Sequence, residues 1–220
     1  MKRERHPQWV QATEHARADF GKPDFLPWLT GIQSTIHPGS AHRYLQLLEL
    51  DGWCLANRPQ VVLELGSGYS TLVIARYACE FRNVRHVAVE ESTDYQDWVV
   101  KNMPEWGKVQ WHLSPVVTDE IGGAMTRRYE SLPDLPEVDL LYVDGPNCDY
   151  MGKSLAGSDA VKLVESGVRP KHVLFDRRND SVDLFREVEG YGFEAGGSYE
   201  TSKPWYLRPL RHHSWFWRKA

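Results

Sequence analysis

The stretch Val61-Val62-Leu63-Glu64-Leu65-Gly66-Ser67-Gly68-Tyr69-Ser70-Thr71 decides the fold. Its short apolar run predicts a buried strand over Val61–Leu65, and the two glycines predict a turn after that strand. Apolar residues then recur at helical spacing over Thr71–Phe81. A strand that enters a glycine turn and then a helix is typical of an α/β sheet, in which ligands bind at the carboxyl ends of the strands.

Further strand-like and helical segments alternate on both sides of this unit. The predicted strands are Val84–Val89, Val109–Leu113, Val138–Val143, His172–Phe175, Phe193–Gly196 and Ser214–Arg218. The predicted helices are Ala41–Cys54, Thr93–Lys101 with a Thr93/Gln96 capping box, Ser154–Glu165, and Ser181–Glu189 with Asp180 as N-cap. This alternation predicts a largely parallel sheet covered on both faces, with the last two strands as an antiparallel hairpin at its edge.

Composition and charge place the chain among ordinary globular proteins. It has 220 residues, 41% hydrophobic and 25% charged, and a net charge of -4 that gives no indication of binding to nucleic acid or membrane. Three widely spaced cysteines form neither a disulfide framework nor a CxxC metal motif, so a reducing, cytoplasmic location is expected. We expect one compact domain, with residues 1–55 as a helical or irregular cap and residues 56–220 as the core.

Glu64 distinguishes the glycine turn from a dinucleotide-binding turn. At the strand tip a carboxylate repels a pyrophosphate but accepts an ammonium group, such as that on the methionine part of S-adenosylmethionine (SAM). The dinucleotide pattern also needs a third small residue where this chain has Thr71. The alternative is a plain strand–turn–helix with a surface glutamate. Because glycine admits a ligand to the backbone, Gly66→Val is expected to block binding without unfolding the sheet.

An acidic residue follows the next predicted strand. Glu90 ends Val87-Ala88-Val89-Glu90, 24 positions after Gly66, and an acid about 20 residues past such a turn commonly accepts hydrogen bonds from ribose hydroxyls. Glu91 is the alternative ligand. Alternation along a strand sends the two side chains to opposite faces, and the position nearer the strand end favours Glu90.

Two more carboxylates follow strands at the same predicted edge. Asp144 comes directly after Leu140–Val143, and Asp176 after His172–Phe175, so the pair can act as a base or hold a cation. The alternatives are that Asp144 caps its turn and that Asp176 pairs with Arg177 or Arg178. Among the histidines, adjacent His212 and His213 point apart on a strand and do not form a metal pair, and His112 is typical of a pocket wall or core.

Four segments together resemble a known family: ELGSGYST at 64–71, VAVEES at 87–92, LSPVV at 113–117 and YVDGP at 142–146. The family is the class I SAM-dependent methyltransferases, and more narrowly the small branch called methyltransferase-24-like. The resemblance implies a Rossmann-like, doubly wound, mostly parallel seven-stranded sheet with the last strand antiparallel and helices on both faces. It implies SAM as the cofactor, with Glu90 on the ribose, Ser114 beside the adenine and Asp144 near the sulfonium and acceptor. The cofactor-binding residues it implies are Glu64, Gly66, Ser67, Gly68, Ser70, Thr71, Glu90, Ser114 and Asp144.

The chain departs from the family pattern near the catalytic positions. Ser70 replaces a third glycine, Lys153 is the nearest basic residue after the DGP turn, where the branch often has arginine, and Asp176-Arg177 stands where it often has Asp-Asp. The catalytic candidates are Asp144 as first choice of general base, then Asp176 and Lys153. An arginine beside Asp176 competes with a divalent cation, so we assign no metal ligands and expect metal-independent activity.

The residues after the fourth strand bear on the methyl acceptor. Enzymes that methylate amines of nucleic-acid bases usually carry a [DN]PP[YF] turn there, and this chain has Asp144-Gly145-Pro146-Asn147. We therefore expect O-methylation of a small molecule or sugar, with no nucleic-acid or membrane partner. Residues 20–45 and Trp205–Arg211 are expected to cover the acceptor. A nicotinamide-dependent oxidoreductase and a non-catalytic SAM-fold module stay open as alternatives.

Overall fold

A computed structural model describes residues 41–81, 83–103, 107–176, 178–187, 192–195 and 213–218 of the chain. The irregular cap predicted before residue 41 lies outside the described residues, as does the predicted acceptor cover at residues 20–40 and Trp205–Arg211.

The elements within the described residues are five helices and twelve strands. The helices are α1 (Ala41–Asn57), α2 (Tyr69–Glu80), α3 (Thr93–Asn102), α4 (Asp159–Glu165) and α5 (Asn179–Glu187). The strands are β1 (Val61–Leu65), β2 (Arg85–Glu90), β3 (Gln110–Leu113), β4 (Val116–Ile121), β5 (Ala124–Tyr129), β6 (Leu140–Val143), β7 (Asp149–Tyr150), β8 (Lys153–Ser154), β9 (Ala156–Gly157), β10 (His172–Asp176), β11 (Phe193–Ala195) and β12 (His213–Arg218).

The main sheet has seven strands in the order β11-β12-β10-β6-β1-β2-β3. β1, β2, β3, β6 and β10 pair in parallel, whereas β12 is antiparallel to both β10 and β11. The predicted fold, a mostly parallel seven-stranded sheet with an antiparallel last strand, is therefore confirmed. The last strand lies inside the sheet, and β11 forms the edge.

Apolar side chains alternate between the two faces of the sheet, and each face has its own helices. Val62 of β1 packs with residues of α1, α2 and α3 such as Leu50, Leu72 and Val99. Leu63 and Leu65 face the other way and pack with α4 and α5. Helices on both faces thus follow from the period-2 pattern of buried parallel strands.

Three local predictions were wrong. The helix predicted over Ser154–Glu165 begins only at Asp159, because the preceding residues form β8 and β9. Ser92, rather than Thr93, caps α3, since its hydroxyl accepts a hydrogen bond from the Tyr95 N–H at 3.2 Å. Asp180 does not cap α5, because it lies inside the first turn of that helix.

The β4–β5 hairpin was missed by the sequence analysis. Its two six-residue strands pair around Gly122-Gly123, and both glycines have positive φ. A Gly-Gly pair between strand-like runs favours such a hairpin, because glycine adopts positive φ at little cost. The C-terminal residue of this hairpin, Tyr129, reaches the functional site described below.

Within the described ranges, the helices are too short or too polar to cross a membrane.

Candidate active site at the carboxyl edge of the sheet

The carboxyl ends of β1, β2, β6 and β10 meet at one edge of the main sheet because these strands are parallel. Backbone hydrogen bonds continue the pairing beyond the strands. The Gly66 N–H donates to the Val89 carbonyl at 2.9 Å, and the Asp144 N–H donates to the Leu65 carbonyl at 2.8 Å. The structure therefore brings the glycine turn after β1, the end of β2 and the turn after β6 together.

Gly66 is required by the packing of these turns. Its φ is +84°, and a Cβ there would lie 2.6 Å from the backbone nitrogen of Gly145. A Cβ on Gly145 would in turn meet the backbone of Gly66 and the Tyr129 hydroxyl. The expectation that Gly66→Val leaves the sheet folded is therefore wrong, because the new side chain has no space and an unfavourable backbone conformation.

Gly68 differs from Gly66 in that its Cα faces open space. A Cβ at this position would have a single neighbour within 4 Å, the Tyr95 Cε1 at 4.0 Å. Its φ of 165° is extended, so other residues can adopt this conformation. The Gly68 N–H donates to the Thr71 Oγ1 at 2.8 Å, which fixes the start of α2. Of the two glycines, Gly68 is the one that leaves room for a ligand.

Glu90 is buried, with 4% of its surface exposed, and its carboxylate holds the glycine turn through Ser67. Its Oε2 accepts hydrogen bonds from the N–H and the hydroxyl of Ser67, at 2.8 and 2.6 Å. Its Oε1 accepts from the N–H groups of Glu91 and Ser92, at 3.0 and 2.9 Å. Three of these four donors are backbone N–H groups, and the fourth is the Ser67 hydroxyl. A ligand hydroxyl can therefore replace the Ser67 hydroxyl without moving the backbone.

Glu91 points to a different set of partners, as strand alternation predicts. Its Oε2 accepts from the Tyr129 hydroxyl at 3.0 Å, and its Oε1 accepts from the Asn147 N–H at 3.0 Å. Burial, and then the charge of Glu91, raises the pKa of the Tyr129 hydroxyl well above its usual range, so the phenol stays protonated and donates. Glu91 thus connects the β4–β5 hairpin to the turn after β6 through hydrogen bonds.

Glu64 is fully buried, so it is not the surface glutamate of the alternative interpretation. It shares the face of Val62, which α1 and α2 cover, and its Oε2 lies 2.9 Å from the His86 Nε2. Burial, with added repulsion from Asp51 and Glu64, raises the pKa of the Cys54 thiol of α1. The other oxygen of Glu64, Oε1, has no hydrogen-bond partner among the described residues. A contact between Glu64 and a ligand stays a prediction and now rests on that one oxygen.

Ser70 and Ser114 differ in how far their hydroxyls are satisfied. The Ser70 Oγ is buried in the first turn of α2 and has no partner among the described residues. The Ser114 Oγ accepts from the Ser131 N–H at 2.9 Å, while the Ser114 N–H donates to the Glu90 carbonyl at 3.0 Å. His112 lies 3.1 Å from the Ser131 hydroxyl, so these residues brace the loop beyond β3.

Asp144 lies beside a guanidinium that the sequence analysis placed elsewhere. The Nη2 of Arg178 lies 3.7 Å from the Asp144 Oδ1 and donates to the Asp144 carbonyl. The Nη1 of the same residue donates to the Pro146 carbonyl at 2.7 Å. Arg178 therefore holds the turn after β6 by contacts to the Asp144 and Pro146 carbonyls and to the Asp144 carboxylate.

The other two catalytic candidates have different surroundings. Asp176 is buried at the end of β10, and its Oδ1 accepts a hydrogen bond from the Gln46 amide of α1. Lys153 is exposed on the short β7–β8 hairpin that follows the Asp144 turn. The structure brings Asp144 and Asp176 to the same edge of the sheet and leaves Lys153 on the surface beyond it.

His213 also lies at this edge, because it pairs with Asp176 across β10 and β12. Its Nδ1 lies 2.7 Å from the Glu49 Oε2 and its Nε2 lies 3.2 Å from the Tyr142 hydroxyl. The described residues contain no group of three or more His, Cys, Asp or Glu side chains that could hold a metal ion. A divalent cation at Asp144 and Asp176 does not fit, since Arg178 and Gln46 already contact these carboxylates.

A cavity of about 310 Å³ lies on the α4 side, and none of the predicted site residues lines it. Its wall includes Asp159, which is buried and accepts a hydrogen bond from the Tyr129 N–H at 3.0 Å. Burial raises the pKa of the Asp159 carboxyl to about 7, although the hydrogen bond from Tyr129 opposes the shift.

Four residues that shape this site were not predicted from the sequence: Gln46, Glu91 as a bridge, Tyr129 and Arg178. Arg178 was considered only as a partner of Asp176. Its position directly before a helix and after the fifth strand of the parallel set was a usable signal, because such a side chain starts at the same sheet edge as Asp144. Gln46 and Tyr129 come from distant segments and carry no comparable signal.

Comparison with known proteins shows the fold. No protein-family model matches this sequence, and no curated protein is similar to it in sequence. One similar solved structure is a Klebsiella pneumoniae protein provisionally assigned as an O-methyltransferase, with 18% identity, a TM-score of 0.56, and 97% of this chain and 98% of that chain covered. Another is the cofactor-bound Rv0187 from MTB, with 18% identity, a TM-score of 0.53, and 98% and 99% covered. The predicted Rossmann-like fold is thereby confirmed.

Proposed function

We propose that this chain is a class I SAM-dependent methyltransferase that transfers the methyl group to an oxygen of a small molecule or sugar. The observation that carries the proposal is the glycine turn after β1. Gly68 of this turn faces open space, and the buried carboxylate of Glu90 accepts a hydrogen bond from the Ser67 N–H of the same turn. Within the fold described above, this turn lies where α/β sheets bind their ligands.

The polar groups around the turn fit the groups of SAM. SAM carries an ammonium, a carboxylate and two ribose hydroxyls. Among the described residues, neither the Glu64 Oε1 nor the Ser70 hydroxyl has a hydrogen-bond partner. The former can accept from the ammonium, and the latter can donate to the carboxylate. Buried polar atoms are rarely left without a partner, so a ligand that satisfies both removes a cost from the free protein.

The ribose and the adenine are assigned to the ends of β2 and β3. A ribose hydroxyl can donate to Glu90 in place of the Ser67 hydroxyl, with Ser67 then free to turn toward the ligand. Leu113 is exposed at the end of β3 and offers an apolar surface for the adenine beside Ser114. Gly66 and Thr71 contribute indirectly, by fixing the turn and the start of α2.

The catalytic part is assigned to the turn after β6. SAM supplies an electrophilic methyl group on a sulfonium, and the protein has to align an acceptor lone pair with it, which is worth roughly 7–11 kcal/mol. Asp144 is the first candidate for the base that takes the acceptor's proton, typically a gain of about 10²–10⁴-fold. Asp176 lies at the neighbouring strand end, and Lys153 is the third candidate.

The finer assignments rest on the sequence motifs. ELGSGYST and YVDGP favour the methyltransferase-24-like branch. The division into a cap at residues 1–55 and a core at 56–220, the cytoplasmic location and the absence of a nucleic-acid partner belong to the same proposal.

The nicotinamide-dependent alternative is disfavoured by β12. The dinucleotide-binding sheet has the strand order 3-2-1-4-5-6 in parallel, whereas here an antiparallel strand lies between β10 and β11. A thermal-shift comparison separates the two functions, with SAM expected to stabilise the protein and NAD expected to have no effect.

The contrast between the two glycines tests cofactor binding. Gly68→Val should keep the unfolding temperature of the wild type but abolish binding of S-adenosylhomocysteine (SAH) in calorimetry, because its side chain fills the open space. Gly66→Val should instead lower the unfolding temperature. Unchanged SAH affinity in a folded Gly68→Val protein would contradict the assignment. SAH formation with any hydroxyl acceptor then excludes a non-catalytic module.

A further inference from the structure

We propose that Arg178 is a positioning residue of the active site, a fixed cation that orients the Asp144 carboxylate. This inference rests on the proposed function. It concerns a residue to which neither the sequence motifs nor the structural comparisons assign a role.

The backbone of Arg178 is held by a helix start. The Val182 N–H donates to the Arg178 carbonyl at 2.8 Å, so the side chain leaves the first turn of α5 from a defined point. The guanidinium then crosses from the end of β10 to the turn after β6. It is partly shielded from water, with 23% of its side chain exposed against 20% for Asp144.

The guanidinium meets three oxygens of one short turn. Besides the two carbonyls of Asp144 and Pro146, it lies 3.7 Å from the Asp144 carboxylate. A planar fork of donors suits such an arrangement, and a lysine ammonium does not reproduce it. Gly145, between Asp144 and Pro146, packs on Gly66. Contacts that fix the turn after β6 therefore also fix the position of Gly66 in the glycine turn.

The same contacts explain why a divalent cation is not expected here. Mg²⁺ needs near-octahedral oxygen ligation, and the two carboxylates at the strand ends are already engaged, Asp144 by Arg178 and Asp176 by the Gln46 amide. The positive charge beside Asp144 is therefore part of the chain. Its geometry is set by α5 rather than by a bound ion.

The experiment compares SAH affinity in four proteins by calorimetry: wild type, Arg178→Gln, Arg178→Lys and the matched control Arg186→Gln. Arg186 lies on the same helix, but its guanidinium pairs with the exposed Asp183 on the surface. We expect Arg178→Gln to weaken SAH binding about tenfold, equivalent to about 1.4 kcal/mol. Arg178→Lys should recover part of the loss, and Arg186→Gln should match the wild type.

A double-mutant cycle with Asp144→Asn separates positioning from a merely structural role. If Arg178 acts through the Asp144 carboxylate, Arg178→Gln should cause a much smaller loss of SAH affinity in the Asp144→Asn background. Equal losses in both backgrounds would overturn the inference, as would an Arg178→Gln protein that binds SAH like the wild type. So would wild-type SAH affinity that depends on added Mg²⁺ and is lost in EDTA. Failure of the wild type to bind SAH under any of these conditions would instead overturn the proposed function, and this inference with it.

Discussion

Asp159 should make the protein less stable as the pH rises toward neutrality. This carboxyl is 2% exposed, and its Oδ2 has no hydrogen-bond partner among the described residues. Burial penalises its charged form and raises its pKa from 3.8 to about 7. The folded protein therefore binds a proton that the unfolded chain has already released, and stability falls wherever the two states differ in this way.

The size of the effect follows from the two pKa values. The stabilisation is fully present below pH 3.8 and is lost progressively as the pH rises to about 7. A difference of roughly three pKa units, at 1.36 kcal/mol each, gives on the order of 4 kcal/mol in total. Between the two pKa values, the free energy of unfolding should fall by about 1.4 kcal/mol for each pH unit because of this residue.

Urea unfolding of the wild type and Asp159→Asn across this pH range measures the effect. The amide keeps an oxygen for the Tyr129 N–H but has no proton to release, so its curve lacks this contribution. The two proteins should therefore differ most in slope between about pH 4 and 7, and the wild type should be the one that loses stability. Parallel pH profiles would refute the reasoning, because they would mean that Asp159 has the same pKa in both states.

Three further predictions concern the ribose site, a buried pair of side chains and the dependence of activity on metal ions. Glu90→Ala should weaken SAH binding several-fold or more, consistent with about 0.5–1.5 kcal/mol for each lost hydrogen bond, and Glu91→Ala should have little effect in the same calorimetric assay; the reverse ranking would assign the ribose to Glu91. His86→Ala should lower the free energy of unfolding by at least about 1–3 kcal/mol, because it leaves a buried oxygen of Glu64 without its hydrogen-bond partner, and a Glu64→Leu/His86→Leu protein should regain much of this loss in urea unfolding. Methyl transfer should survive exhaustive EDTA treatment, and activity that EDTA abolishes and Mg²⁺ or Mn²⁺ restores would make Asp144 and Asp176 metal ligands.

The sequence predicted the central strands well because their signals are local. Val61–Leu65 was placed without error, since a short apolar run between a polar segment and a glycine turn leaves little choice. Boundaries were less certain where a polar residue could belong to either element, as with Ser92 and Thr93 at the start of α3. The residues before Asp159 were assigned to a helix because their two-residue strands are too short to show a period.

The site was predictable as a place but not as a set of contacts. The parallel sheet alone brings Gly66, Glu90, Asp144 and Asp176 to one edge. Which partner each carboxylate takes depends on segments far away in sequence. Gln46, 130 positions before Asp176, gives no local sign of its role.

The two glycines of the Gly-Ser-Gly turn have different roles, which the sequence motif alone does not distinguish. Gly66 has no space for a side chain because it packs on Gly145, whereas Gly68 faces open space. The surrounding contacts reinforce this division: Glu91 and Arg178 both fix the turn after β6, which in turn supports Gly66. Substitutions of Gly66 and Glu91 should therefore act first on folding, whereas Arg178 also acts on binding through the Asp144 carboxylate. Substitutions at Gly68 and Ser70 should act on binding, because Gly68 faces open space and the Ser70 hydroxyl has no hydrogen-bond partner among the described residues.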